Sequence, residues 1–246
     1  MIFVYALNYL MFFIRQLIKN GLGQIALIDV GSPIHGVGYI FVMLNAIIRR
    51  FSLNSFSGMT TEHSLFPVQM IVNWHSPDTY ILPNRLRDWL LDPSSLTARL
   101  KYHCREFRVE VLGQKIIVCD ACEANEDIIV GEQVLVREVL LYCDDMPQVF
   151  ARSLLPLSSL TGAQQQLAHL GTQSLGQVLF NHPDLIRKKI EVAAFDEASS
   201  VAKLANELSR EKIQQPLWGR RSVFVLDAKP LMVAEVFLPG AVAYQK

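Results

Sequence analysis

The chain has 246 residues, and lysine plus arginine balances aspartate plus glutamate at 23 each. That length can bury a sizeable core, and the zero net charge argues against both a basic nucleic-acid surface and an acidic disordered tail. No repeat, low-complexity tract or Pro/Gly/Ser linker divides it.

Residues 1–58 read as an apolar extension. Met1–Ile14 is almost wholly apolar and is followed by Arg15 and Lys19. Positive charges that follow the apolar run, with no small-residue cleavage site, do not make a secretory signal. The run is also shorter than the ~20 residues of a spanning helix. A second run, Ile25–Ile48, contains Asp29, which is unfavourable by up to about 3 kcal/mol at the centre of a membrane helix. Two readings stay open here: a marginal membrane anchor, or upstream sequence ahead of a natural start at Met59. A folded domain is expected over 59–246.

Within that domain, Asn84–Leu91 reads as a helix after Pro83. A second helix is expected from Asp92-Pro93, an N-cap followed by proline, with Leu96 and Leu100 turned inward. Phe107, Val109 and Val111 alternate with charged residues as in a half-buried strand. Glu132–Cys143 and Gln148–Leu155 flank Asp144–Pro147, a hairpin turn. A Ser/Thr/Gly loop at 158–162 and a short helix at 163–169 follow, and then 175–180 leads into a strand at 186–192. Asp196–Ile213 places Val201, Leu204, Ala205 and Leu208 at helical spacing, an amphipathic surface helix. Two strands, 220–226 and 231–237, close the domain around a turn at Asp227–Pro230. Hairpin-linked strands with helices grouped between them imply an α+β fold, a single largely antiparallel sheet with helices on one face.

Few residues are candidates for chemistry. Cys119 and Cys122 have CxxC spacing, but no second pair or nearby histidines completes a zinc set, so no metal site is expected. There is no nucleophile elbow, phosphate loop or metalloprotease motif, and no cofactor is expected. The informative positions are two lone charges on apolar strand faces. Arg137 lies with Leu135, Val139 and Leu141, and Glu235 lies with Leu231, Val233 and Phe237. Buried charges of this kind need partners. Either the two pair with each other, or Arg137 is a carboxylate clamp inside a pocket. Arg152 lines the same pocket or the sheet edge, Glu138 is a solvated or surface-paired charge, and at most one of Arg220 and Arg221 joins a site.

The strand VLVREVLL, the segment LGTQSLGQVLF (170–180), the block LWGRRS (217–222) and the ending KPLMVAEVFLP (229–239) together resemble chorismate lyase. This family converts chorismate to 4-hydroxybenzoate and pyruvate for ubiquinone synthesis, and the similarity runs from about Leu82 to Tyr244. The resemblance implies a carbon–oxygen lyase with a buried ligand. Arg137 falls on the clamp arginine and Glu235 on the pocket glutamate, the two catalytic positions. Further substrate contacts fall on Leu96, on the backbone at Leu175, and on Arg152. Residues 194–216 look longer than the corresponding family link and read as a surface insertion. Chorismate is the expected partner of a cytoplasmic monomer that binds no nucleic acid, with membrane contact only through residues 1–58. The rivals are a non-catalytic sensor domain that binds small acids in the same fold, and a structural module in which Arg137 and Glu235 pair.

Overall fold

The computed structural model describes residues 62–209 and 212–245. The apolar extension expected over 1–58 lies outside the described residues. Six strands form one sheet: β1 (Phe107–Val118), β2 (Gln133–Cys143), β3 (Met146–Pro156), β4 (Ile186–Phe195), β5 (Leu217–Leu226) and β6 (Lys229–Phe237). Their order is β1-β2-β3-β6-β5-β4, and every neighbouring pair is antiparallel. The last strand in the chain therefore enters the middle of the sheet, beside β3.

Two tight turns set this arrangement. Asp144 and Asp145 have φ of 48° and 64°, and Asp227 and Ala228 have φ of 51° and 60°. Two successive left-handed residues make the two-residue hairpin loop whose twist matches that of the flanking strands. The Asp144 carboxylate also accepts from the backbone N–H groups of Arg105 and Glu106, at 2.9 and 2.8 Å, which ties the turn to the entry of β1. The first turn is thus shorter than the expected Asp144–Pro147. Met146 and Pro147 belong to β3, and Pro147 is tolerated because β6 pairs with β3 only from Val149 onward.

Helices α1 (Asn84–Leu90), α2 (Leu96–Tyr102) and α3 (Leu175–Leu179) and a 3-10 segment (Gly162–His169) cover one face of the sheet. Helix α2 starts later than expected. Its N-cap is Ser95, whose hydroxyl accepts from the Ala98 N–H, while Asp92 closes a separate turn through Ser94. The segment around Leu175 is helical, capped by Ser174. The remaining helix, α4 (Ser200–Ser209), packs Val201, Leu204 and Ala205 on the other face, against Leu140, Phe150, Ala193 and Val236. Part of the segment expected to be a surface insertion therefore contributes to a core. Covering both faces leaves almost no exposed position in β2 or β3.

Candidate active site

The core on the α1–α3 face is in two parts. Leu86, Trp89, Leu96 and Leu100 meet Val139, Ala151, Val192 and Phe237 in one cluster. Leu167, Leu175 and Leu179 meet Leu135, Leu155, Phe224 and Val233 in the other. Between them the strands carry polar residues. Arg137 pairs across β2–β3 with Ser153, which pairs with Val233 and through it with Ser222. One step along, Val139, Ala151, Glu235 and Arg220 lie in register. Partners in an antiparallel ladder share a face, so Arg137, Ser153, Ser222, Glu235 and Arg220 all point the same way.

Arg137 is 2 % exposed. Its Nη2 donates to the carbonyls of Gly171 (2.7 Å) and Gln173 (3.1 Å), in the turn ahead of α3. Gly171 has φ of 54°, the left-handed conformation that glycine adopts without strain. Burial pushes the guanidinium pKa down to about 10, so it is still charged at neutral pH. No carboxylate offsets that burial among the described residues.

Glu235 does not pair with Arg137. Its Oε2 accepts from Arg220 Nε at 2.7 Å, and Arg220 Nη1 donates to the Asp92 carbonyl at 2.8 Å. The two catalytic candidates are two strands and two residues apart, which places their Cα atoms about 12 Å from each other at standard sheet spacing. A six-membered ring with a polar group at each end spans such a gap once both side chains reach inward.

Leu96 and Leu175 are each the first residue of a helix, buried on this face in the two separate clusters. The next residue after Leu96 and the one before Leu175 join the two helices, since the hydroxyls of Thr97 and Ser174 lie 2.6 Å apart. Lys101 Nζ donates to Gln177 Oε1 at 2.8 Å, a second link. The sheet thus brings together Arg137, Glu235, Leu96 and Leu175 on one face.

Arg152 is elsewhere. It pairs with Glu138 in the β2–β3 register, on the opposite face from Arg137. Its Nε and Nη2 bind the Glu123 carboxylate at 2.6 and 2.7 Å, and its Nη1 binds Glu138. Glu138, expected to be solvated, is fully buried and also accepts from the Val68 N–H at 2.9 Å. Burial pushes its carboxyl pKa up, against the opposing pull of Arg152. Removing one member of such a cluster leaves uncompensated buried charge. Arg152→Ala is therefore expected to lose about 3–5 kcal/mol of stability. Thermal melting should reveal that loss, with 4-hydroxybenzoate affinity of the folded fraction unchanged. Loss of that affinity in a normally stable variant would return Arg152 to the site.

Two further residues of this face went unnoticed in the sequence. Ser222 sits between Arg220 and Phe224 on the same face of β5, a hydroxyl in an otherwise apolar and charged row. Arg187 belongs to the run Arg187-Lys188-Lys189, which reads as a solvated surface. A register irregularity at this point pairs Arg187 with Phe224 and turns it to the Arg220 side.

A family model described as chorismate lyase matches residues 68–246. A relative from Psychromonas ingrahamii, named "Probable chorismate pyruvate-lyase", is 46 % identical over 65 % of this chain and 85 % of its own. Another of that name, from Shewanella loihica, is 40 % identical over 74 % of this chain and 96 % of its own. Among solved structures, the effector domain of PhnF from Mycobacterium smegmatis aligns over 59 % of this chain and 89 % of that one. Its identity is 16 % and its TM-score 0.44, too loose a likeness to bear on function. The matched segment includes all six strands and every residue of the Arg137 face described above, and the chain belongs to the chorismate lyase family.

Proposed function

We propose that this protein is a chorismate lyase, converting chorismate to 4-hydroxybenzoate and pyruvate, with Arg137 and Glu235 gripping opposite ends of the substrate ring. The observation that carries the assignment of roles is Arg137, a charged, buried guanidinium with only neutral carbonyls around it. A carboxylate is the natural complement, held by charge-assisted bonds in a planar fork.

Chorismate has a ring carboxylate, a hydroxyl para to it, and an enolpyruvyl ether on the carbon beside that hydroxyl. Elimination removes the hydrogen from the hydroxyl-bearing carbon, and its electron pair becomes the new ring double bond. The neighbouring C–O bond breaks with its electrons on the enolpyruvate oxygen, which then takes up a proton and tautomerises to pyruvate. The ring becomes aromatic, which drives the step forward. Such a reaction asks for orientation, a proton acceptor and relief of charge on the leaving oxygen. In this reading Arg137 takes the ring carboxylate, and Glu235, held in place by Arg220, meets the hydroxyl end and handles the proton. Leu96 and Leu175, from α2 and α3, close over the ring.

Residues 59–246 act as the lyase domain in this reading, working as a cytoplasmic monomer in the supply of 4-hydroxybenzoate for ubiquinone. No helix of the described residues is long and apolar enough to cross a membrane. The deciding experiment mixes the purified chain with chorismate and follows 4-hydroxybenzoate by absorbance and pyruvate by a coupled assay. Equimolar appearance of both is expected. Binding of 4-hydroxybenzoate without any turnover of chorismate would instead make the protein a sensor of small aromatic acids.

A further inference from the structure

Two buried side-chain polar atoms have no hydrogen-bond partner among the described residues: Arg187 Nε and Ser222 Oγ. Both belong to the Arg137 face, on the neighbouring strands β4 and β5. Buried donors are rarely left unmade, and two of them together point to a ligand that completes them. Arg187 is well fixed for this purpose. Its Nη1 donates to the Asp92 carbonyl at 2.9 Å, the same oxygen that receives Arg220. Its guanidinium stands 4.8 Å from the Phe224 ring centroid and 5.4 Å from that of Phe180.

The charges of this face support the same reading. Arg137, Arg187 and Arg220 are set against one carboxylate on the strands, Glu235, while the nearby Asp92 carboxylate is taken by Arg99 at 2.7 Å. Two positive charges are thus left over, in a place where unpaired charge is costly. Burial, followed by repulsion from Arg220, lowers the Arg187 pKa to about 10, so Arg187 is still a cation at neutral pH. The ring carboxylate of chorismate balances one excess charge. Its enolpyruvyl group carries a second carboxylate, attached beside the hydroxyl and so at the Glu235 end of the ring. Strands β5 and β4 lie beyond β6 on the side away from β2, with Ser222 opposite Val233 and Arg187 opposite Phe224. The Asp92 carbonyl that Arg187 and Arg220 share keeps Arg187 beside Arg220, the partner of Glu235.

We propose that Arg187 and Ser222 bind the enolpyruvyl carboxylate of chorismate, Arg187 through its free Nε–H and Ser222 through its hydroxyl. The assignment rests on the reading that Arg137 holds the ring carboxylate. It makes β4 and β5 the subsite that distinguishes substrate from product, since 4-hydroxybenzoate has no second carboxylate. It also positions the leaving group so that the C–O bond breaks toward the guanidinium groups of Arg187 and Arg220, which share the Asp92 carbonyl.

The test compares substrate with product on the full chain. Arg187→Gln is expected to raise the KM for chorismate by about 10- to 100-fold, the loss of a hydrogen bond to a charged group. Its Kd for 4-hydroxybenzoate should stay within about 2-fold of the parent, because the product does not reach this subsite. Ser222→Ala removes only an unpartnered hydroxyl and should fold normally, with a smaller rise in KM of about 3- to 10-fold and an unchanged product Kd. Arg187→Lys should recover part of the loss, as a cation without the fork. Equal weakening of chorismate and 4-hydroxybenzoate would mean that Arg187 only packs against Phe180 and Phe224, and the inference would fall. An unchanged chorismate KM in Arg187→Gln, or in Ser222→Ala should the first variant not fold, would overturn it as well. Failure of the parent chain to convert chorismate would sink the functional reading itself, a separate outcome visible before any variant is made.

Discussion

Replacing Arg137 with alanine is expected to lower kcat/KM for chorismate by about 10²- to 10³-fold, equivalent to roughly 3–4 kcal/mol of lost binding in the transition state. Binding of 4-hydroxybenzoate should fall to a similar degree, since substrate and product share the ring carboxylate. The fold should persist. Arg137 is bonded to two neutral carbonyls, so its removal strands no buried carboxylate, unlike the loss of Arg152. A melting temperature within a few degrees of the parent, together with the collapse in turnover, is the signature of a ligand-binding cation. Arg137→Lys should recover little, because a single ammonium on a flexible stem cannot bind two carboxylate oxygens while keeping the carbonyls of Gly171 and Gln173. Near-parental turnover in Arg137→Ala would remove the clamp from the mechanism.

Arg137 and Glu235 were legible in the sequence because both stand in long strands with clear period-two alternation. A charge among Leu135, Val139 and Leu141, or among Leu231, Val233 and Phe237, is conspicuous whatever the rest of the fold does. What the alternation cannot supply is the register between strands, and Arg152 illustrates the consequence. A four-residue turn over Asp144–Pro147 would set Cys143 against Gln148 and Arg152 opposite Val139, on the face of Arg137. The two-residue turn and the irregularity after Leu141 instead set Arg152 opposite Glu138. A slip of one residue moves a side chain to the other face of the sheet. Met146 and Pro147 look like turn residues, so the shorter loop was not evident. Glu138 reads as solvated for a different reason. Helix α4 and the segment around Val68 cover its face of the sheet, and the alternation within β2 does not place either of them there.

Arg187 was hidden for a related reason. A run of three basic residues at the start of a strand reads as solvent-facing, and Lys188 and Lys189 do pair with carboxylates near the surface. Only the irregularity between Arg187 and Lys189 turns the first of the three inward. Helix α4 was legible as an element, from the spacing of Val201, Leu204 and Ala205. The sheet face that it covers depends on the path of the chain between β4 and β5, which periodicity does not encode.

The second large effect is expected at Glu235, and there the choice of substitution matters. Glu235→Ala leaves Arg220 buried with its carboxylate partner gone, and should cost about 3–5 kcal/mol of stability besides its effect on the reaction. A loss of activity in that variant alone would be uninformative. Glu235→Gln keeps an oxygen to accept from Arg220 Nε and fills the same volume, so most of the stability should remain. It cannot take a proton as a carboxylate does, and kcat should fall by about 10²- to 10⁴-fold, the usual range for a lost general base. Adding Arg220→Met to Glu235→Ala should restore much of the melting temperature, since the unpaired cation is gone, and restore none of the turnover. Thermal melts and single-turnover measurements on the three variants separate the two roles of this carboxylate. If Glu235→Gln turned over chorismate at the parental rate, Glu235 would be no more than the counter-ion of Arg220, and the proton would have to leave by another route.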